Sequence, residues 1–271
     1  MMKKLIVSLC GTLLVTASFV SVAKQSTVMP AEGVNWGYLN PLRGDKSPGA
    51  ADLWGDRTKN MPTGMLVRFN KGFSSPPHIH NISYRGIVIK GLMHNDDPAA
   101  ESLWLPQGSY WTQPAGQNHI TAANGEENLI YLEIDSGPYL VQPSKEHFDN
   151  GEAPINQHMT NYVWLDKKVF TPIEQEGVKA TLLWGSPDKG VLGGTLLSLP
   201  KAFKGNIAVD AEEFKVVVIK GSIEYQSEEL SESMMLNPGS FVDSSGRFIH
   251  QVSSHADALI YIRTNGEFEM K

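Results

Sequence analysis

The sequence predicts an all-β protein made of two tandem copies of one sandwich or barrel domain. Three observations carry this. Helical periodicity is scarce beyond the first two dozen residues. Short runs of Val, Ile, Leu and aromatics, such as GMLVRF, YRGIVIK, NLIYLEI, FKVVVIK and ALIYIR, alternate with Gly, Pro, Asn and Asp. Many short strands at close spacing, with turn signals between them, are the mark of a sandwich or barrel. The chain also repeats at an offset of 130 or 131 residues. Leu53-Trp54-Gly55 returns as Leu183-Trp184-Gly185, and Gly64-Met65-Leu66 as Gly194-Thr195-Leu196. Ile89-Lys90-Gly91 returns as Ile219-Lys220-Gly221, Gly108-Ser109-Tyr110 as Gly239-Ser240-Phe241, and Ile130-Tyr131 as Ile260-Tyr261. Five matches in one order at a constant offset make a tandem duplication.

Residues 1–23 are expected to be a signal peptide. Lys3 and Lys4 precede an apolar run from Leu5 to about Val20, and Ser21 and Ala23 form a small-residue cleavage site. Cleavage removes Cys10, the only cysteine, so the exported protein relies on packing and not on disulfides. Losing Lys3 and Lys4, with no acid in the leader, takes the formal charge from -6 to -8. Basic residues are scattered, which disfavours nucleic acid and anionic lipid as partners. No later stretch reaches the ~20 apolar residues of a membrane span. The expected location is periplasmic or secreted.

Residues 24–146 form the expected first domain, 147–160 a linker that overlaps the polar stretch Gln142 to His158, and 161–271 the second domain. The chemistry concentrates in the first. In GFSSPPHIHNISYRGIVIKG, Gly72 to Gly91, residues i and i+2 of a strand share a face, so His78 and His80 aim two imidazoles into one volume. Pro76 and Pro77 remove two backbone donors and suit a loop entering a strand. In GSYWTQPAGQNH, Gly108 to His119, Pro114 and Gly116 shape a turn that delivers a third histidine. Three neutral imidazoles at one point suit a divalent transition metal: Fe, Mn, Ni or Zn.

These two stretches resemble the two cupin motifs. Gly72, His78, His80 and Gly91 match the first, and Gly108, Pro114, Gly116 and His119 match the second without a gap. With the LWGD segment, Leu53 to Asp56, they look like a secreted bacterial two-cupin family of unknown function, related to ChrR-like cupins. The resemblance implies a tandem double-stranded β-helix, a jelly-roll bicupin, with a metal inside the barrel. One departure matters. Tyr84 stands where cupins usually carry a glutamate ligand, and a neutral phenol is a poor ligand for a hard cation. A three-histidine site is therefore expected, with Tyr84 as the candidate catalytic residue, lining the pocket or hydrogen-bonding water on the ion. An aromatic filling the barrel is the alternative.

The second copy keeps His250 in the place of His119. Ala208 and Asp210 replace the HxH pair and Phe214 replaces Tyr84, so no metal site is expected there. His250 with Asp210 reads as a buried hydrogen-bonded pair, His94 as a rim residue, and Glu133 as a residue of a solvated strand face. Two functions stay open. One is a metalloenzyme acting on a small molecule by dioxygenase-like or hydrolase/isomerase-like chemistry. The other is a non-catalytic cupin that binds or senses a small molecule or metal complex. An anti-sigma role is disfavoured, since the leader exports the chain away from sigma factors. A homodimer is expected from jelly-roll edges.

Overall fold

The computed structural model describes residues 25–271; the expected signal peptide lies outside them. The described residues form 21 strands and four short 3-10 turns. Strands of the first half are β1 Gln25–Met29, β2 Gly37–Tyr38, β3 Gly49–Trp54, β4 Thr63–Phe69, β5 His78–His80 and β6 Tyr84–Lys90. They continue as β7 Leu92–Asp96, β8 Leu105–Pro106, β9 Tyr110–Gln113, β10 Ile120–Ala123, β11 Asn128–Ile134, β12 Val141–Pro143 and β13 Ile155–Gln157. The rest are β14 Lys179–Trp184, β15 Gly193–Leu199, β16 Lys204–Lys220, β17 Ile223–Ser227, β18 Met234–Leu236, β19 Phe241–Ser254, β20 Ala258–Thr264 and β21 Glu267–Met270. Between these strands the pairing is antiparallel, and the architecture is the all-β jelly roll that the resemblance implies. Among the described residues, no helix is long and apolar enough to cross a membrane.

The principal sheet of the first half runs β13-β9-β6-β11-β4-β3-β2. Side chains alternate across it. Met65, Val67, Tyr84, Val88, Trp111, Ile130 and Leu132 point into the barrel. Leu66, Ile87, Ile89, Tyr110 and Tyr131 point the other way, into a core shared with Leu196, Val217, Ile219, Phe241, Leu259 and Tyr261 of the second half. Both faces are buried, which is why YRGIVIK and NLIYLEI read as nearly continuous apolar runs.

The repeat is visible in geometry as well as in sequence. Trp54 Nε1 donates to the Tyr131 hydroxyl at 3.2 Å, and Trp184 Nε1 to that of Tyr261 at 2.9 Å. A register shift falls between Asp52 and Trp54 in β3, and again between Leu182 and Trp184 in β14. The halves also exchange strands. β1 pairs with β19 of the second half, while β13 pairs with β9 of the first. After each exchanged strand the same anchor follows. Ala31 N donates to Ser240 Oγ at 2.9 Å, and Met159 N donates to Ser109 Oγ at 3.1 Å. Within the stretch expected to be a linker, Ile155–Gln157 is thus a strand of the first sheet. Polarity there reflects an edge position, which leaves one side of the strand in water.

Glu133 departs from expectation. It does alternate away from Ile130, Leu132 and Ile134, but that face meets the second half and not solvent. Glu133 and Arg263 are each 1% exposed. Glu133 accepts from Tyr131 at 3.0 Å and Tyr261 at 2.9 Å, and lies 3.3 Å from Arg85 and 3.4 Å from Arg263. Arg263 also reaches Glu213 at 2.7 Å and Asp135 at 3.0 Å. Burial alone would lower the Arg263 pKa, but Glu133, Glu213 and Asp135 raise it beyond the ordinary guanidinium range.

Candidate metal centre

β5 carries His78 and His80 on one face, with Ile79 fully buried between them. The third histidine arrives by backbone pairing. His78 N donates to His119 O, and His119 N to His78 O, both at 3.0 Å. Gly116 makes this turn possible. Its φ is 76°, and a Cβ there would lie 2.5 Å from Phe148. Gly116 N also donates to His80 O at 2.8 Å, tying the turn to β5. The ring centroids then stand 5.0 Å apart for His78 and His80, 4.2 Å for His78 and His119, and 5.2 Å for His80 and His119. One ligating nitrogen from each ring lies within 4.8 Å of the other two.

Every ring has a backbone carbonyl on Nδ1: Pro76 O at 2.9 Å for His78, Leu140 O at 3.1 Å for His80, and Gln117 O at 3.1 Å for His119. A carbonyl only accepts, so each Nδ1 carries the proton and each Nε2 keeps its lone pair. Three acceptor nitrogens face one another with no acid to protonate them. Burial, joined by the mutual repulsion of the rings, pushes the His80 pKa well below its ordinary value and that of His119 to about 3. Burial lowers His78 as well. Neutral, oriented and convergent imidazoles with carbonyl-anchored Nδ1 atoms are what a divalent transition metal requires of histidine ligands. The residues fit the group.

Tyr84 faces into the same space. Its hydroxyl donates to Asn95 Oδ1 at 2.8 Å and lies 3.4 Å from His119 Nε2. Asn95 is held in turn by Thr121 Oγ1 at 2.8 Å and by its own bond to Gln113 at 2.8 Å. Burial raises the Tyr84 pKa above the ordinary phenol range, although bonds with Trp111, Thr121 and Asn95 oppose the shift. A second phenol was not foreseen from sequence. Tyr139 stacks on the His80 ring at 4.5 Å, with its hydroxyl 3.3 Å from His80 Nε2. It lies outside both motifs, so no spacing in the sequence pointed to it.

Above the rings opens a pocket of about 320 Å³. Phe69, Phe73, Trp111, Leu132 and Tyr139 line it, and His78 and His80 form part of its wall. A larger groove, about 910 Å³, crosses the second half beside Asp210, Arg247 and Lys189. Its two cations are both held by Asp210, Arg247 at 3.3 Å and Lys189 at 3.6 Å, and Asp188, Glu228, Glu267 and Glu269 leave the groove acidic. It has no converging set of metal-ligating atoms, and the smaller pocket is the one that meets chemistry.

His94 is a buried residue and not a rim one, with Nδ1 3.2 Å from Leu103 O. In the second half His250 has Tyr225 on Nδ1 at 2.8 Å and Ser244 on Nε2 at 3.0 Å. Phe214 and Phe248 stack on its two sides at 5.0 and 4.8 Å. The expected partner Asp210 lies with Arg247 instead. The reason is register. His119 pairs with His78, whereas His250 pairs with Ile207, one place off. A one-residue slip exchanges faces, so Ile207 and Val209 enter the core while Asp210 turns outward.

A family described as a domain of unknown function, DUF4437, matches residues 27–271. The chain belongs to the DUF4437 family. No curated protein matches the sequence. Among solved structures, this DUF4437 chain is similar to a Nostoc punctiforme protein provisionally described as a dioxygenase. The TM-score is 0.68 at 16% identity, over 91% of this chain and 84% of that one. Oxalate decarboxylase from Bacillus subtilis gives 0.55 at 11%, over 92% and 79%. The Ylba protein from E. coli gives 0.58 at 15%, over 91% and 94%. At such identities the likeness shows a shared fold and nothing finer.

Proposed function

We propose that this chain is an exported two-cupin metalloenzyme acting on a small organic molecule through one divalent transition metal held by His78, His80 and His119. The observation that carries the proposal is the trio of unprotonated, convergent Nε2 atoms, each set by a carbonyl on Nδ1, beneath a small apolar pocket. Such an ion would supply Lewis acidity or, if iron, redox chemistry toward oxygen. The protein's own residues do the rest. Phe69, Phe73 and Leu132 exclude water and position the substrate. Tyr84 keeps its proton, committed to Asn95, and turns its oxygen toward His119, where it orients whatever shares the site with that ring. The enzyme names of two of the structural relatives support catalysis; they do not choose the reaction, because one fold hosts many chemistries. The leader supports a periplasmic or secreted location, the repeat supports two cupins related to the ChrR-like kind, and homodimerisation belongs to the same reading.

A second reading rests on one specific feature. No carboxylate lines the pocket, so no general base is at hand, as suits a protein that only binds a small molecule or metal complex. Elemental analysis of the purified protein, followed by oxygen uptake and ester hydrolysis on small-molecule panels, separates the two. The proposal expects about one metal per chain and turnover that His80→Ala abolishes. Equal ligand binding by wild type and His80→Ala, with no turnover by either, leaves only the binding reading.

A further inference from the structure

Resting on the metal-centre reading, the geometry points to a further property: the substrate is a small carboxylate with an apolar body, and Arg43 recognises its acid group at the pocket mouth. The pocket is unbalanced in charge. Arg43 is the one Lys, Arg, Asp or Glu among the residues that line it. No carboxylate of the described residues is paired with this guanidinium, which is exposed at the apex of a turn. The turn itself is closed by hydrogen bonds. Leu39 N donates to Pro48 O at 2.8 Å, Asn40 N to Ser47 Oγ at 2.8 Å, Ser47 N to Gly44 O at 2.9 Å, and Arg43 N to Asn40 O at 3.1 Å. Leu39 packs on the barrel core, which fixes the turn to the wall of the pocket.

Hydrogen-bonding capacity leans the same way. Inside the pocket, Asn95 Oδ1 is already taken by two donors, Tyr84 and Thr121. A free cation remains, with no anion in the lining. An ion held by three neutral imidazoles would add positive charge without cancelling any. A cationic ligand is repelled here, and a neutral one leaves the guanidinium unused. Arg pairs with carboxylates through two parallel charge-assisted bonds. At about 320 Å³ the volume is near the lower end of small-molecule sites, ~300–1,000 Å³, so the body is of single-ring size.

Benzoate and its uncharged isostere benzamide test this by calorimetric titration into zinc-loaded protein, with bound zinc measured in each sample. Benzoate is expected to bind about tenfold tighter than benzamide. Arg43→Gln is expected to erase that difference at unchanged zinc content, and Arg43→Lys to restore part of it. Equal affinity of the two probes, no binding of either, or an Arg43→Gln variant that keeps its benzoate preference overturns the inference while leaving the metal centre standing. Wild-type protein without zinc instead ends the metal reading. The Arg43 comparison is then made on that metal-free protein, with the same outcomes deciding.

Discussion

At the scale of single residues, the tautomer of each histidine is the decisive feature. Three Nδ1–H groups spent on backbone carbonyls leave three lone pairs turned toward one point, with only the Tyr139 and Tyr84 hydroxyls, at 3.3 and 3.4 Å, beside them. The same burial makes the metal-free protein acid-sensitive. The folded state keeps these rings neutral, whereas the unfolded chain protonates them below about 6.5. The unfolded state therefore binds more protons as pH falls, and stability is lost from about pH 6.5 downward, toward the value of about 3 at which His119 charges. Each such ring contributes a slope of up to ~1.4 kcal/mol per pH unit. Thermal unfolding of metal-free protein should show the midpoint falling from pH 7 to pH 5, and falling less steeply in His119→Asn; parallel profiles would refute this. Tyr84→Phe should keep the metal and lose ~1 kcal/mol of stability, the ordinary worth of the bond to Asn95, as read from urea midpoints. The histidines and Tyr84 were legible because motif spacing names them. Tyr139 was not, because a residue 59 places from His80 reaches it only through the fold.

At the scale of elements, close backbone approach sets the shape of the pocket. Gly86 in β6 lies under the Trp111 ring of β9, and a Cβ there would come within 2.2 Å of it. Gly86→Ala must push Trp111 into the pocket or spread the strands, at a cost of ~1–3 kcal/mol. Denaturant midpoints measure that cost, and an unchanged midpoint would show that the ring moves freely. The strands themselves were readable from alternation and turn residues. Their register was not. His119 meets His78 while His250 meets Ile207, the one step by which the offset between the copies rises from 130 to 131, and only the pairing shows that this step exchanges faces.

At the scale of the whole molecule, the two halves are joined by exchanged strands, a shared apolar core and a buried charge network. Glu133 and Arg263 occupy corresponding places in the two copies and pair across the junction. Removing one partner of a buried pair costs ~3–5 kcal/mol, because the other charge stays desolvated, whereas replacing both by apolar groups can be neutral. Arg263→Leu is therefore expected to lower stability by that amount, and Glu133→Leu with Arg263→Leu to recover most of it, a comparison made by a double-mutant cycle in urea. Metal content should stay constant throughout, since the network lies on the sheet face turned away from the pocket. Loss of metal in Arg263→Leu would show the two faces to be coupled.

The sequence by itself determined the β class, the duplication and four of the site's side chains, the three histidines and Tyr84, because strand periodicity and motif spacing are local and survive in one dimension. Only the tertiary structure decided that the second face of NLIYLEI meets protein and not water, that β1 and β13 change places, and that Tyr139 and Arg43 belong to the pocket. Each of these depends on which surface a strand or turn is laid against, and that choice is made by packing between segments far apart in the chain.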